Sequence, residues 1–170
     1  MNILILLPVL AVFTGCGKND LEEPGNMAVE MYIGQLKNSQ YLAPNLPEFT
    51  YLDIPALLKY REETQIITGF PHNGISSLYS PECTLGMYVL WTIESIRAVA
   101  IDSELLIARF PSQNPILALR NAVELQLVDD SQSRKTASKA YFDWWEDNKI
   151  KDFDDFKHID PLAKTDYGWH

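Results

Sequence analysis

The side chains able to do chemistry are few, and they are scattered along the chain. The three histidines, His72, His158 and His170, fall in no metal-ligand spacing such as His-Glu-x-x-His, so each is expected in a structural or surface role. No Gly-x-Ser-x-Gly elbow, phosphate-binding glycine loop or Cys-x-x-Cys pair occurs, so the common nucleophilic, nucleotide and redox signatures are missing. The run Asp152-Phe153-Asp154-Asp155-Phe156 has the carboxylates of a calcium loop. It places Phe156 and Lys157 where an EF-hand needs an oxygen ligand and a glycine. The expectation there is a hydrated acidic face with Phe153 and Phe156 turned inward. No catalytic residue and no metal site is predicted, and a hydrolase assembled from groups that converge only in the fold is the minority reading.

Two groupings remain. Glu94 and Arg97 stand three apart in an otherwise apolar run, a spacing that lets them pair across one helical turn as a structural ion pair. The C-terminal region is crowded with rings, and Tyr141, Trp145, Tyr167 and Trp169 are the candidate surface for a ligand or partner, since such rings carry a polar handle on an apolar body. Helical spacing around Tyr141 and Trp145 makes core packing the competing use. Of the two cysteines, Cys16 ends an apolar leader, while Cys83 lies between Pro81 and the apolar run from Leu85 and reads as buried and inert.

The elements that must position these residues read as helices. Length 170 and 46% apolar content suit one compact domain. A net charge of -9 argues against nucleic acid, whose affinity for proteins comes mostly from Lys and Arg. Met27, Met31, Ile33 and Leu36 predict an amphipathic helix over 26–40. Asp53 as cap with Pro55 in the first turn predicts another from about 54 to 65. The stretch 66–82, punctuated by Gly69, Pro71, Asn73-Gly74 and Pro81, reads as a long ordered loop. The run 84–101 is apolar on nearly every side and belongs in the middle of the domain. Asn114-Pro115 opens a predicted helix to about 128, and Ala137, Ala140, Tyr141, Trp144, Trp145 and Asn148 carry the clearest helical period. Leu105 to Phe110 is the one short-strand candidate. The fold class that follows is all-α, about five or six helices in a small stack or orthogonal bundle with long ordered loops.

The leader is a processing signal. Ile3 to Phe13 is apolar apart from Pro8 and runs into Phe13-Thr14-Gly15-Cys16. As a helix it would span roughly 18 Å, short of the ~30 Å hydrocarbon core, so it is no membrane span in its own right. The segment resembles the lipobox of a bacterial lipoprotein. That resemblance implies a signal peptide over 1–15, a covalent lipid on Cys16 in place of any other cofactor, and attachment to a membrane. Residues 16–25, polar, acidic and closed by Pro24-Gly25, read as a flexible tether, leaving 26–170 as a single helical domain. By the same resemblance, the absence of Asp after the cysteine points to the outer membrane, with periplasmic side and cell surface both open.

Three further segments carry a second resemblance: Tyr51-Leu52-Asp53-Ile54-Pro55-Ala56-Leu57-Leu58, the helix Gly86 to Arg97 with its Trp91-Thr92-Ile93-Glu94-Ser95-Ile96-Arg97, and Tyr141-Phe142-Asp143-Trp144-Trp145-Glu146. They are similar to a Bacteroidetes-type lipoprotein family of unknown function with a HEAT-like helical body. The resemblance implies export and a stacked-helix architecture, and it brings no catalytic residues. The function expected is a non-enzymatic, lipid-anchored module of the cell envelope that binds another envelope protein. The alternative is a lipoprotein that binds a glycan or small ligand through the C-terminal aromatics.

Overall fold

The computed structural model describes residues 24–78 and 80–170. The signal peptide at 1–15, Cys16 and tether residues 17–23 lie outside the described residues. The chain runs α1 (Pro24–Lys37), a 3-10 turn (Tyr51–Asp53), α2 (Ile54–Leu58), β1 (Ile66–Thr68), β2 (Glu82–Thr84), α3 (Leu85–Ala100), β3 (Leu117–Leu119), β4 (Leu127–Val128), α4 (Ser131–Glu146), α5 (Phe153–Phe156) and β5 (Tyr167–Trp169). The all-α expectation is therefore wrong. Strands β1 and β2 form an antiparallel pair, and β4-β3-β5 form a second antiparallel sheet, so the domain is mixed α and β rather than a HEAT-like stack.

Helix α3 is the centre. Of its residues only Arg97, Val99 and Ala100 escape full burial, as an all-round apolar helix demands. Thr84 caps it, its Oγ1 accepting from Met87 N. Helix α1 lays Val29, Tyr32, Ile33 and Leu36 against the core, and Tyr32 and Thr92 join their hydroxyls at 2.9 Å. Helix α4 packs on α3 through Ala137, Tyr141, Trp144 and Trp145, with small and large residues one turn apart. Trp91, fully buried, stacks on Phe110 at 5.4 Å and donates its indole N–H to Ser112 Oγ at 2.8 Å.

One predicted helix is cut short and another is absent, each for a tertiary reason. The one from about 54 to 65 stops at Leu58 because the following carbonyls serve α3. Leu85 N donates to Gln65 O at 2.8 Å and Gly86 N to Glu63 O at 2.9 Å. The two ends of the expected 66–82 loop then zip together, Ile67 opposite Cys83. The approach is so close that a Cβ on Gly86 would stand 2.6 Å from Arg61 O. Gly86→Ala is accordingly expected to cost about 2 to 3 kcal/mol, the price of forcing backbone apart in a packed region, as read from the urea midpoint. An unchanged midpoint would show that the connection at 61–65 yields freely.

The helix expected at 114–128 is instead the hairpin β3–β4, with Leu117 opposite Val128, and Val123 is fully exposed in the turn. Its strand partner, β5, comes from the C-terminus, with Leu117 opposite Trp169 and Leu119 opposite Tyr167. Local periodicity carries no trace of a partner that distant. The candidate strand at 105–110 reduces to one bridge, Ile107 to Phe110, closed by Ala108 and Arg109, both left-handed at φ 48 and 71.

Candidate functional site

The residues singled out by type converge, but in the interior. Arg97 reaches Glu94 through Nε, 3.1 Å from both carboxylate oxygens, and through Nη2 at 2.5 Å. Its Nη1 donates to Lys157 O at 3.2 Å. Tyr141 Oη donates to Glu94 Oε2 at 2.7 Å, and Trp169 Nε1 donates to Tyr141 Oη at 2.8 Å. The structural pair and half of the aromatic candidates thus form one chain of hydrogen bonds running from α3 through α4 to β5. Tyr141 is fully buried. Burial first, and the neighbouring Glu94 carboxylate second, push its phenol well above the ordinary tyrosine range, so it serves as a fixed donor. Trp145 is buried against Trp144 and Phe156, ring centroids 6.1 Å from each, while Tyr167 and Trp169 are half-buried in β5. The four rings do not share a surface.

The remaining reactive types are equally committed. Cys83 is buried and free, and desolvation, reinforced by Asp129 and Glu82, pushes its thiol far above the reactive range. His170 Nδ1 lies 3.1 Å from the Asn114 amide, His158 is exposed, and burial lowers His72, which packs on Phe70. No group of three potential metal ligands occurs among the described residues. Phe153 and Phe156 point inward from α5, and Asp152 caps it by accepting from Asp154 N at 3.1 Å, as the spacing of that acidic run predicts.

A concavity opens on another face of α4. Thr136, Lys139, Ala140, Asp143, Trp144, Asp147 and Asn148 form one stripe of the helix, and the segment from Ile159 to Thr165 forms the facing wall, around a groove of about 540 Å³. That volume is within the range of ligand pockets. Several of its polar groups are satisfied internally. Lys139 pairs with Asp143, and Asp160 holds Arg120 at 2.5 Å. Asn148 donates to Trp144 O at 2.6 Å and accepts from Lys151 at 2.7 Å. Three groups are left over. Asp147 and Lys164, both exposed, have no ion-pair partner among the described residues. Trp144 is only 5% exposed, and its indole N–H finds no acceptor. Buried donors are rarely left so.

The Trp144 ring is buried, in keeping with the helical period that carries it, but the groove beside it was not foreseen in the sequence. The signal was Lys139, Asp143 and Asp147 recurring every four residues on the helix stripe that also carries the small Ala140. Its other wall, 159–165, has no regular structure and no periodicity to read.

Compared with known protein families, residues 23–170 match the one described as Domain of unknown function (DUF4943). No curated protein and no solved structure matches the chain.

Proposed function

The chain belongs to the DUF4943 family, and from that premise we propose that it is a non-enzymatic binding module of the cell envelope, held to a membrane by a lipid on Cys16, whose α4 groove takes a segment of a partner protein. The observation that carries the reading is the composition of the groove. Apolar ground from Ala140, Ile159, Pro161 and Ala163 is flanked by charges of both signs, the arrangement of a polar rim around an apolar strip. Asp147 and Lys164 offer one unanswered charge each. A volume of about 540 Å³ accommodates a few residues rather than a whole domain face.

A glycan would need an open ring face on which to stack. Trp144 is 5% exposed and packs against Tyr141, Trp145 and Phe156, so the groove favours the peptide over the sugar. The test is a random peptide library panned on the protein. Peptides selected should lose affinity about tenfold or more, equivalent to ~1.4 kcal/mol, on the paired reversal Asp147→Lys with Lys164→Glu, which preserves net charge and touches only exposed positions. Binders indifferent to that reversal would remove the groove from the proposal. Envelope glycans that shifted tryptophan fluorescence, where no selected peptide did, would transfer it to the glycan reading.

A further inference from the structure

We propose that a second concavity, where α3 and α4 begin, is a binding site for a phosphate-type oxyanion, free or at the end of a small phosphomonoester. The cleft measures about 160 Å³ and is walled by Arg61 from the connection after α2, Thr84 at the start of α3, and Ser131, Arg134, Lys135 and Ser138 along one face of α4. Those four α4 positions follow the i, i+3, i+4, i+7 spacing that aligns side chains on a single stripe.

What points to a ligand is a pair of unanswered donors. Ser138 is only 2% exposed, lines the cleft, and its Oγ has no hydrogen-bond partner. Arg61 reaches the same cleft from the other wall, and its Nε is likewise buried without an acceptor. Only two other such atoms, Arg109 Nε and Trp144 Nε1, occur among the described residues. Leaving a buried donor unmade is costly, and one acceptor-rich group seated between Arg61 and Ser138 answers both.

The charges decide the sign of that group. The acids in the lining are engaged, Glu62 with Arg61 at 3.3 Å and Glu63 with Lys37 at 3.6 Å. Asp129 holds Arg134 at 2.6 Å, and the nearby Asp130 spends its carboxylate capping α4, accepting from Ser133 N at 2.7 Å. Of the basic residues lining the cleft, Lys135 is the one exposed and without an ion pair among the described residues. Both α3 and α4 begin here, so their dipoles add positive potential. Direct amide donation from α3 is not available, because Leu85 N and Gly86 N are bound to Gln65 O and Glu63 O. The donors therefore come from Arg61, Ser138 and Lys135, on different walls. A tetrahedral oxyanion spreads its acceptor oxygens in four directions, which suits donors on three walls better than the single plane of a carboxylate. The volume admits the ion and a short tail and excludes a nucleotide.

Inorganic phosphate and glycerol 3-phosphate, titrated at constant ionic strength, should each raise the thermal midpoint of the native protein saturably. Ser138→Ala should raise the midpoint of the phosphate-free protein, because it replaces an unpartnered hydroxyl by a methyl group, while weakening phosphate binding about fivefold. Lys135→Gln, at an exposed site, should weaken it about threefold and flatten the salt dependence. Lys164→Gln in the α4 groove should leave phosphate affinity unchanged. Binding of the free ion but not the ester would confine the site to the ion. Arg61 also donates to Leu58 O and covers the Phe142 ring, so Ser138 and Lys135 are the cleaner variants. No saturable shift with either compound, or a shift equal in Ser138→Ala and the native protein, would overturn the site and leave water as the occupant of the cleft.

Discussion

Glu94→Ala is expected to destabilise the domain by about 3 to 5 kcal/mol, the cost of stranding a buried charge, and that is a large share of the stability of a small domain. The side chains of Glu94 and Arg97 are 9% and 12% exposed, so solvent does little to screen them. Removing the carboxylate leaves the Arg97 guanidinium hydrogen-bonded to the Lys157 carbonyl, with Asp160 as the remaining nearby carboxylate that favours its charge, and takes the acceptor from Tyr141 Oη. The loss extends to the chain of donors behind it, since Trp169 Nε1 reaches Tyr141 Oη and β5 is held in the sheet beside it. Tyr141→Phe, which removes one hydroxyl but keeps the ring, should cost only about 1 to 2 kcal/mol. The double substitution Glu94→Met with Arg97→Met should recover much of the single loss, because a buried pair replaced by apolar groups is often close to neutral. Urea unfolding of the four proteins gives the comparison. A Glu94→Ala cost below about 1 kcal/mol would mean that water enters the pair and that the network does not tie α4 and β5 to α3.

Legibility in the sequence divides along one physical line. Helices α3 and α4 were readable because their fate is decided by their own residues: α3 by apolar side chains on every face, α4 by Ala137, Tyr141 and Trp144 at helical spacing. The Glu94–Arg97 spacing was readable for the same reason. What failed was everything decided by a distant partner. Leu117 to Leu119 form a strand because Tyr167 to Trp169 return to pair with them, and the chain after Leu58 leaves the helix because its carbonyls cap α3. The mixed architecture lay in those pairings and in no local pattern. The candidate site shows the same division. The rings of Tyr141 and Trp145 suggested a surface, yet the charged groove lies on another face of α4 and is completed by the irregular segment 159–165. An orphan donor such as Trp144 Nε1 exists only once the neighbours are placed.

Cys16→Ser is expected to abolish lipid attachment altogether while leaving the fold untouched. No helix among the described residues is long and apolar enough to cross a membrane, and the apolar leader over 3–13 falls short of the hydrocarbon thickness. A lipid supplies about 0.8 kcal/mol for each buried methylene, and more than one acyl chain is required for stable anchoring, which is what the resemblance to a lipobox at Phe13–Cys16 implies. With a lipid on Cys16, residues 17–23 could span at most about 25 Å, which bounds how far the first residue of α1 can stand from the bilayer surface. Labelled fatty acid fed to the producing cells should appear on the native protein, which should partition into detergent, and on none of the Cys16→Ser variant, which should be released or remain unprocessed. Circular dichroism of the two should coincide, since Cys16 precedes the matched domain at 23–170. Protease shaving of intact cells then separates the cell surface from the periplasmic side. A native protein that took up no fatty acid and fractionated as soluble would end the lipoprotein reading while leaving the α4 groove, and its peptide test, standing on their own.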